Sequence, residues 1–194
     1  MSYYRVTAEP AELPITVADV KPFMRIDFDQ DDSMIEAMIR AATTTLEAFT
    51  NRDFVTRTYQ YTTQCLLPPD QYTPQTYLEL QRGPLGAVTS AEYRLDSNQV
   101  TLEYTLQERS SYARLWVEDG ETIDTDEVPN AFTVVFTSGY GAAADVPPPL
   151  KEAIKRFVLF QYENKDDTIP DTGHIIPAGV QFLARPYRLI AGYS

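Results

Sequence analysis

One passage of the sequence constrains the fold more than any other: VVFTSGYGAAADVPPPLKEAIKRFVLF, residues 134–160. It begins with an apolar strand pattern and ends with an amphipathic helix pattern, and glycines and three consecutive prolines separate the two. Glycine permits a turn out of the strand, and proline disfavours helix in the residue before it, so we expect no helix before Leu150. The passage therefore predicts a rigid hinge between two different parts of the chain. The hinge residues are Gly139, Gly141, Pro147, Pro148 and Pro149.

Two amphipathic helices flank the middle of the chain. Apolar residues at steps of three and four predict one long helix from about Asp31 to Asn51, which would be roughly 30 Å long. Its apolar stripe comprises Ile35, Met38, Ile39, Ala42, Leu46 and Phe49. The same spacing returns after the hinge in Leu150, Ile154, Phe157, Val158 and Gln161. A shorter helix, capped by Thr16, precedes the first long one. We predict that the two long helices pack together as one scaffold layer.

Between the two long helices the hydrophobic period changes to two residues, which is typical of half-buried strands. Six segments show this pattern: TRTYQYTTQCL, TYLEL, AVTSAEYRL, QVTLEYTL, ARLWVED and NAFTVVFT. Since no crossover helices separate them, we predict antiparallel pairing. The predicted fold class is α+β: a helical scaffold of two long helices and a short N-terminal helix, with an inserted antiparallel β lobe and an extended C-terminal segment.

These elements divide the chain into three predicted parts. Residues 14–55 and 146–165 form a helical body, residues 56–137 form the β lobe, and residues 166–194 form a C-terminal docking segment. The formal net charge of the chain is −12, which disfavours ordinary nucleic-acid binding. The charge is uneven, because the last 17 residues, 178–194, contain two arginines and no acidic residue.

Composition also indicates the compartment. The single cysteine, Cys65, cannot form an internal disulfide, so we expect a reducing compartment and interpret Cys65 as a small core residue of a strand. The N-terminal stretch MSYYRVTAEPAELP lacks the basic and apolar regions of a signal peptide. No stretch approaches the roughly 20 apolar residues that a membrane span requires. We therefore expect a soluble protein without membrane partners.

The acidic passage DFDQDD imitates the start of a calcium-binding loop, with Asp27, Asp29 and Asp31 at the first three ligand positions. The sixth position is Asp32, where the tight turn requires glycine, and the twelfth is Met38, where a bidentate glutamate is required. Carboxylates at the start of a helix are explained more simply by capping and by the helix dipole. We expect capping there and no metal site.

The sequence contains no recognisable catalytic apparatus. His174 is the only histidine, and neither a G-x-S-x-G turn nor a local Cys–His arrangement accompanies it. The phosphate-binding motif G-x-x-x-x-G-K-[ST] is also absent. Paired carboxylates remain conceivable among 28 acidic residues, but no spacing selects a pair. We expect neither enzymatic activity nor a cofactor.

The C-terminal segment has the composition of a contact surface, since aromatic residues and arginine are favoured at protein interfaces. The candidate contact residues are Phe182, Leu183, Arg185, Tyr187, Arg188 and Leu189. The alternative is that this segment folds onto its own helices or is disordered. Sequence alone leaves both possibilities open.

Three stretches of the sequence, taken in order, form a recognisable pattern. The first is ITVADVKPFMRID, followed by the long helix that ends at the polar turn TNRDF. The second is YLELQRGPLGAVTSAEYR, and the third is FTVVFTSGYGAAADVPPPLKEAIKRFVLFQYEN. In this order they resemble the head–tail connector proteins, also called adaptor or head-completion proteins, of long-tailed bacteriophages and gene transfer agents. The resemblance covers about residues 14–165, together with the basic C-terminal segment.

The resemblance implies a structural virion protein of the neck that assembles in the host cytoplasm. It implies a homo-oligomeric ring, usually of twelve copies, between the portal protein and a stopper or tail-completion protein. DNA would pass through the ring without specific binding, because carboxylates lining a channel do not hold phosphate. The C-terminal segment would contact the portal, which makes Phe182, Arg185, Tyr187 and Arg188 portal-contact candidates together with Leu183 and Leu189.

Two other functions are possible from the residues. The first is a ligand-binding β module, in which Trp116 and tyrosines form a platform for sugars or peptides. The second is an enzyme, which would need carboxylates converging in a pocket. A tryptophan in ARLWVED is, however, more often a core residue than a platform.

Overall fold

A computed structural model describes residues 2–67, 75–108, 113–117, 123, 128, 130–164 and 176–189 of the chain. The chain divides into two compact units. The helical unit comprises Ala11–Val55 and Tyr140–Leu189, and the β unit comprises Met1–Pro10, Thr56–Gly139 and Ile190–Ser194. Both helices and antiparallel strands are substantial, which confirms the predicted α+β class.

The described residues of the helical unit form four α-helices: α1 (Val17–Met24), α2 (Asp32–Thr50), α3 (Pro148–Glu163) and α4 (Ala178–Ala184). α2 packs against α3, and α3 packs against α4. Ile39 and Leu46 of α2 lie in one core with Ile154 and Val158 of α3, and none of the four has exposed surface. The predicted apolar stripes and the packing of the two long helices are therefore confirmed.

α1 begins with a reciprocal cap between Thr16 and Asp19. The Thr16 hydroxyl accepts a hydrogen bond from the Asp19 amide at 3.3 Å, and the Thr16 amide donates to Asp19 Oδ2 at 2.8 Å. These bonds satisfy amides that the first turn of a helix leaves unpaired. The Thr16 amide and hydroxyl both donate to Asp19 Oδ2, and these two bonds lower the pKa of the Asp19 carboxyl because they favour its charged form.

The hinge contains two glycines in backbone conformations that other residues rarely adopt. Gly139 has φ of 135° and Gly141 has φ of 126°. A Cβ atom at Gly141 would lie 2.5 Å from Asp145 Oδ2, too close for an unstrained contact. Both conformation and space therefore require glycine at Gly141.

α3 begins two residues earlier than the prolines led us to expect. Its first two residues are Pro148 and Pro149, and Pro147 is the N-cap. Proline is tolerated there because the first amides of a helix have no intrahelical acceptor, so the missing N–H costs nothing. The amides of Leu150 and Lys151 then donate to the Pro147 carbonyl at 3.0 and 3.3 Å. The prediction that helix starts only at Leu150 is wrong.

The described residues of the β unit form eight strands: β1 (Tyr3–Ala8), β2 (Arg57–Thr63), β3 (Tyr77–Leu80), β4 (Leu85–Leu95), β5 (Asn98–Thr101), β6 (Tyr104–Glu108), β7 (Ala113–Val117) and β8 (Phe132–Ser138). They form a five-stranded sheet in the order β1-β2-β8-β4-β5 and a three-stranded sheet in the order β3-β7-β6. All strand pairs are antiparallel. One apolar core joins the sheets, with Val134 and Phe136 from the first and Leu78 and Leu115 from the second.

Three details of the β unit differ from the sequence prediction. β1 was not predicted, although Tyr4 and Val6 alternate toward the core. The single predicted strand QVTLEYTL is two strands, β5 and β6, which belong to different sheets. Cys65 is exposed, because β2 ends at Thr63 before reaching it. The interpretation of Cys65 as a core residue of a strand is therefore wrong.

Replacing Gly141 with alanine tests the hinge. We expect Gly141→Ala to lower the free energy of unfolding by about 1–3 kcal/mol, because the new side chain meets Asp145 and the backbone becomes strained. Urea unfolding followed by circular dichroism measures the change. Gly179→Ala is the matched control, since a Cβ atom there meets nothing within 4 Å. Equal effects of the two substitutions would contradict the assignment.

The Asp19 cap predicts a pH dependence of stability. The folded-state pKa of Asp19 is lowered from its ordinary value of 3.8, so the charged carboxylate stabilises the fold above that pH. This stabilisation is lost as the pH falls through the folded-state pKa. We expect wild type to be more stable than Asp19→Asn at pH 6, with the difference shrinking toward pH 3 in denaturant titrations. A difference that does not change with pH would refute this role of the charge.

Candidate interaction surface

The described part of the C-terminal segment, residues 176–189, is helical and packed rather than extended. α4 is followed by a 3-10 turn, Arg185–Tyr187, and the next two residues complete the described segment. Val180 and Ala184 face the helical core and are 2% and 0% exposed. The prediction of an extended segment is thus replaced by helix over α4, because these apolar side chains gain more from packing on the core than from solvent exposure.

The six predicted contact residues have different positions on this segment. Phe182 is 79% exposed, the most exposed large apolar side chain among the described residues. Arg185 and Arg188 are also exposed. Leu183 and Tyr187 are half-buried against the helical core, and Leu189 is 8% exposed. The segment therefore presents Phe182 and two arginines outward while its other apolar residues hold it in place.

The end of α2 contacts the C-terminal segment. Arg52 Nε donates a hydrogen bond to the Tyr187 carbonyl oxygen at 2.6 Å, and the Leu189 amide donates to the Thr50 carbonyl oxygen at 2.8 Å. The Arg188 guanidinium lies 5.2 Å from the centroid of the Phe49 ring, within the range of a cation–π contact. Sequence reasoning missed Arg52 and Thr50, although the turn TNRDF that contains them was visible.

Arg52 also lies near the Tyr140 hydroxyl and affects its pKa. Burial raises the pKa of the Tyr140 hydroxyl, and the neighbouring Arg52 guanidinium opposes the rise. Tyr140 therefore keeps its proton at neutral pH and presents a neutral phenol to the guanidinium.

The outward face of the segment combines an aromatic ring with positive charge. Phe182 and Arg185 are three residues apart, a spacing that places helical side chains on the same side. An exposed phenylalanine beside guanidinium groups suits a protein partner that offers an apolar pocket and carboxylates. No catalytic chemistry follows from these side chains.

The acidic passage at the start of α2 is used within the fold. Lys21 Nζ lies 2.5 Å from Asp29 Oδ1 and 2.9 Å from Asp32 Oδ1, and these partners raise the pKa of Lys21. Asp31 is the N-cap but makes no side-chain cap bond; instead its Oδ2 accepts a hydrogen bond from Tyr162 Oη at 2.6 Å. The expectation of side-chain capping by Asp31 is wrong, because the Tyr162 hydroxyl on α3 is within reach of its carboxylate.

The described residues contain no group of three or more His, Cys, Asp or Glu side chains that could hold a metal ion. His174 lies outside the described residues. Within the same residues, no helix is both long enough and apolar enough to cross a membrane.

Trp116 is enclosed by its own sheet. It is 7% exposed, its ring centroid lies 4.8 Å from that of Tyr77, and its Nε1 donates to Gln107 Oε1 at 3.1 Å. The Arg114 guanidinium lies 4.4 Å from the Tyr77 ring centroid and pairs with Glu79 at 3.1 Å. A ligand stacks on an exposed ring face, and Trp116 offers almost none.

Comparison with known proteins identifies one family. A family model described as phage gp6-like head-tail connector protein matches residues 14–112, about half of the chain. A search of curated protein sequences finds no match.

Solved structures from gene transfer agent (GTA) particles share the fold. A chain from the virion of a native GTA particle is 18% identical with a TM-score of 0.74, over 98% of this chain and 97% of that one. A chain from the neck of an empty GTA particle, computed with C6 symmetry, is 17% identical with a TM-score of 0.72 over the same shares. A third, from the neck of a native GTA particle computed with C12 symmetry, is 18% identical with a TM-score of 0.62, over 96% and 97%.

The hydrogen bond between Tyr162 and Asp31 predicts a stability effect. Tyr162→Phe removes the donor to the Asp31 carboxylate, and we expect the free energy of unfolding to fall by about 1–2 kcal/mol. Thermal and urea unfolding measure the loss. Tyr3→Phe is the control, because Tyr3 is 50% exposed. If both variants unfold like wild type, the contact does not join α2 to α3.

Proposed function

The chain belongs to the family of phage gp6-like head-tail connector proteins, and we propose that it forms a ring of copies in the virion neck, between the portal protein and a stopper or tail-completion protein. The family membership confirms the resemblance read from the residues. It also makes the protein a member of a structural family rather than of an enzyme family. Assembly in the host cytoplasm is part of the proposal.

The observation that carries this proposal is the extent of the shared fold. The matched GTA chains are covered over 97% of their length, and this chain over 96–98%, so both the helical and the β unit have counterparts. A single shared motif would support a connector role less strongly than this coverage does. The same coverage supports an equivalent position in a particle.

The proposed ring contains twelve copies. Two of the matched structures are necks computed with C6 and C12 symmetry, and a twelve-fold ring satisfies both. Cyclic rings are built from head-to-tail contacts, in which each copy uses two different surfaces. We expect the helical body, residues 14–55 and 146–165, to supply ring contacts.

The negative charge suits passage of DNA. The 28 acidic residues outnumber the 16 lysines and arginines that could hold phosphate groups, and phosphate contacts are what retain DNA on a protein. DNA would therefore move through the ring without specific binding.

The portal-docking surface in this proposal is the C-terminal segment, residues 166–194. Among the predicted contact residues, Phe182, Arg185 and Arg188 are exposed and would contact the portal directly. Leu183 and Tyr187 pack against the helical core and Leu189 is buried, and these three residues would serve docking by holding the segment.

Binding of the full chain to purified portal rings tests the proposal. We expect Phe182→Ala combined with Arg185→Glu to weaken binding by about tenfold or more, because exposed aromatic and arginine anchors dominate interfaces. Tyr3→Ala combined with Arg5→Glu is the matched control, since both residues are exposed and lie on β1, outside the segments to which this proposal gives contacts. Mass photometry and electron microscopy report ring formation on the portal. Unchanged binding by the first variant would defeat the docking assignment.

A further inference from the structure

The turn TNRDF, residues 50–54, has no assigned role in the function proposed so far, yet it is unusually well buried and hydrogen-bonded. We refer to it as the post-helix turn. It ends α2 with Asn51 in the left-handed conformation, at φ of 54°. Thr50, Asp53 and Phe54 are fully buried, although two of the three are polar. A surface turn is normally exposed and variable in its contacts, so this burial calls for an explanation.

The post-helix turn holds the backbone of the C-terminal segment at two points. Arg52 Nε donates to the Tyr187 carbonyl oxygen at 2.6 Å, and the Thr50 carbonyl oxygen accepts from the Leu189 amide at 2.8 Å. The two bonds lie on either side of Arg188. Because both act on main-chain atoms of the segment, they fix its path whatever side chains it presents to a partner.

The turn is itself rigidly supported. Glu47 Oε1 accepts from the Phe54 amide at 2.8 Å, and the Arg52 amide donates to the Glu47 carbonyl oxygen at 3.2 Å. The Phe54 carbonyl oxygen accepts from the Tyr140 amide at 3.2 Å, which links the turn to the hinge passage. The Arg52 donor and the Thr50 acceptor therefore lie on a turn whose backbone is fixed by further hydrogen bonds.

The C-terminal segment needs such support. α4 has only seven residues, and helices this short are not stable alone in water. Its buried residues, Val180 and Ala184, are small and fix its rotation only weakly. Without the two backbone bonds, the residues that follow α4 would be held only by side-chain contacts, such as the packing of Tyr187 against the helical core.

We propose that Arg52 is a positioning residue, which clamps the C-terminal segment through the Tyr187 carbonyl and so presents Phe182 and Arg185 in a defined orientation to the docking partner. The clamping itself depends only on contacts within the helical unit. The consequence for docking rests on the function proposed above. An arginine suits this role, because its planar guanidinium directs an N–H group in a fixed geometry, whereas lysine offers a flexible point charge.

Hydrogen–deuterium exchange of the full chain tests the clamp. In Arg52→Ala, we expect amides of residues 178–189 to exchange about tenfold faster, while amides of β2 and β8 keep their wild-type rates. Arg52→Lys keeps the charge but not the geometry, so we expect it to exchange like Arg52→Ala. Arg40→Ala is the control, because Arg40 pairs with Glu36 on the exposed side of α2.

The outcomes separate this inference from the proposed function. If residues 178–189 exchange at wild-type rates in both Arg52 variants, or if every element loosens equally in both, Arg52 is not a clamp. Portal binding then provides the second readout. We expect Arg52→Lys to weaken portal binding with the exposed side chains intact, and Phe182→Ala to weaken it without faster exchange. If Arg52→Lys loosens the segment but binding is unchanged, the clamp stands and docking through this surface is overturned.

Discussion

The contact between α2 and α3 is the interaction on which the helical unit depends. Ile39 and Leu46 pack in one core with Ile154 and Val158, and burying four such side chains contributes several kcal/mol of hydrophobic stabilisation. α4 then packs on α3, and the post-helix turn at the end of α2 binds the segment that follows α4. Every feature of the candidate interaction surface is therefore positioned by this one pair of helices.

The parts of the fold that were predictable from sequence are those with a clear hydrophobic period. The stripe of α2 runs from Ile35 to Phe49, about four turns at 3.6 residues per turn, and such a repeat is typical of a buried helix face. The start of α3 was misplaced because a proline disfavours helix in the residue before it, yet it fits the first helical turn. The two proline rules give opposite expectations for the start of α3. Leu150 is 0% exposed, so packing on the core decides where the helix begins.

Three features of the β unit were not predictable from the hydrophobic pattern. QVTLEYTL reads as one strand, but a break at Leu102 and Glu103 lets its halves join different sheets, which only tertiary packing determines. The short N-terminal strand pairs with β2 fifty or more residues away, and the alternation of Tyr4 and Val6 is its only local mark. Cys65 is exposed because its strand ends two residues earlier.

The candidate surface was predictable in part. The composition of residues 182–189 indicated a contact surface, but it could not separate outward residues from anchoring ones. Phe182 and Leu183 are adjacent and equally apolar, and only the rotation of α4 exposes one and half-buries the other. Arg52 was missed because its acceptor is a main-chain oxygen 135 residues away, and side chains give no sign of such a bond.

The discontinuity of the helical unit has a consequence during synthesis. α2 ends at Thr50 and α3 begins at Pro148, so about a hundred residues leave the ribosome between the two. At about 5–20 residues per second, the apolar stripe of α2 waits on the order of 5–20 s for its partner. Over that interval the nascent chain exposes the apolar face of α2. Binding of chaperones to this face would govern how much protein reaches the native state.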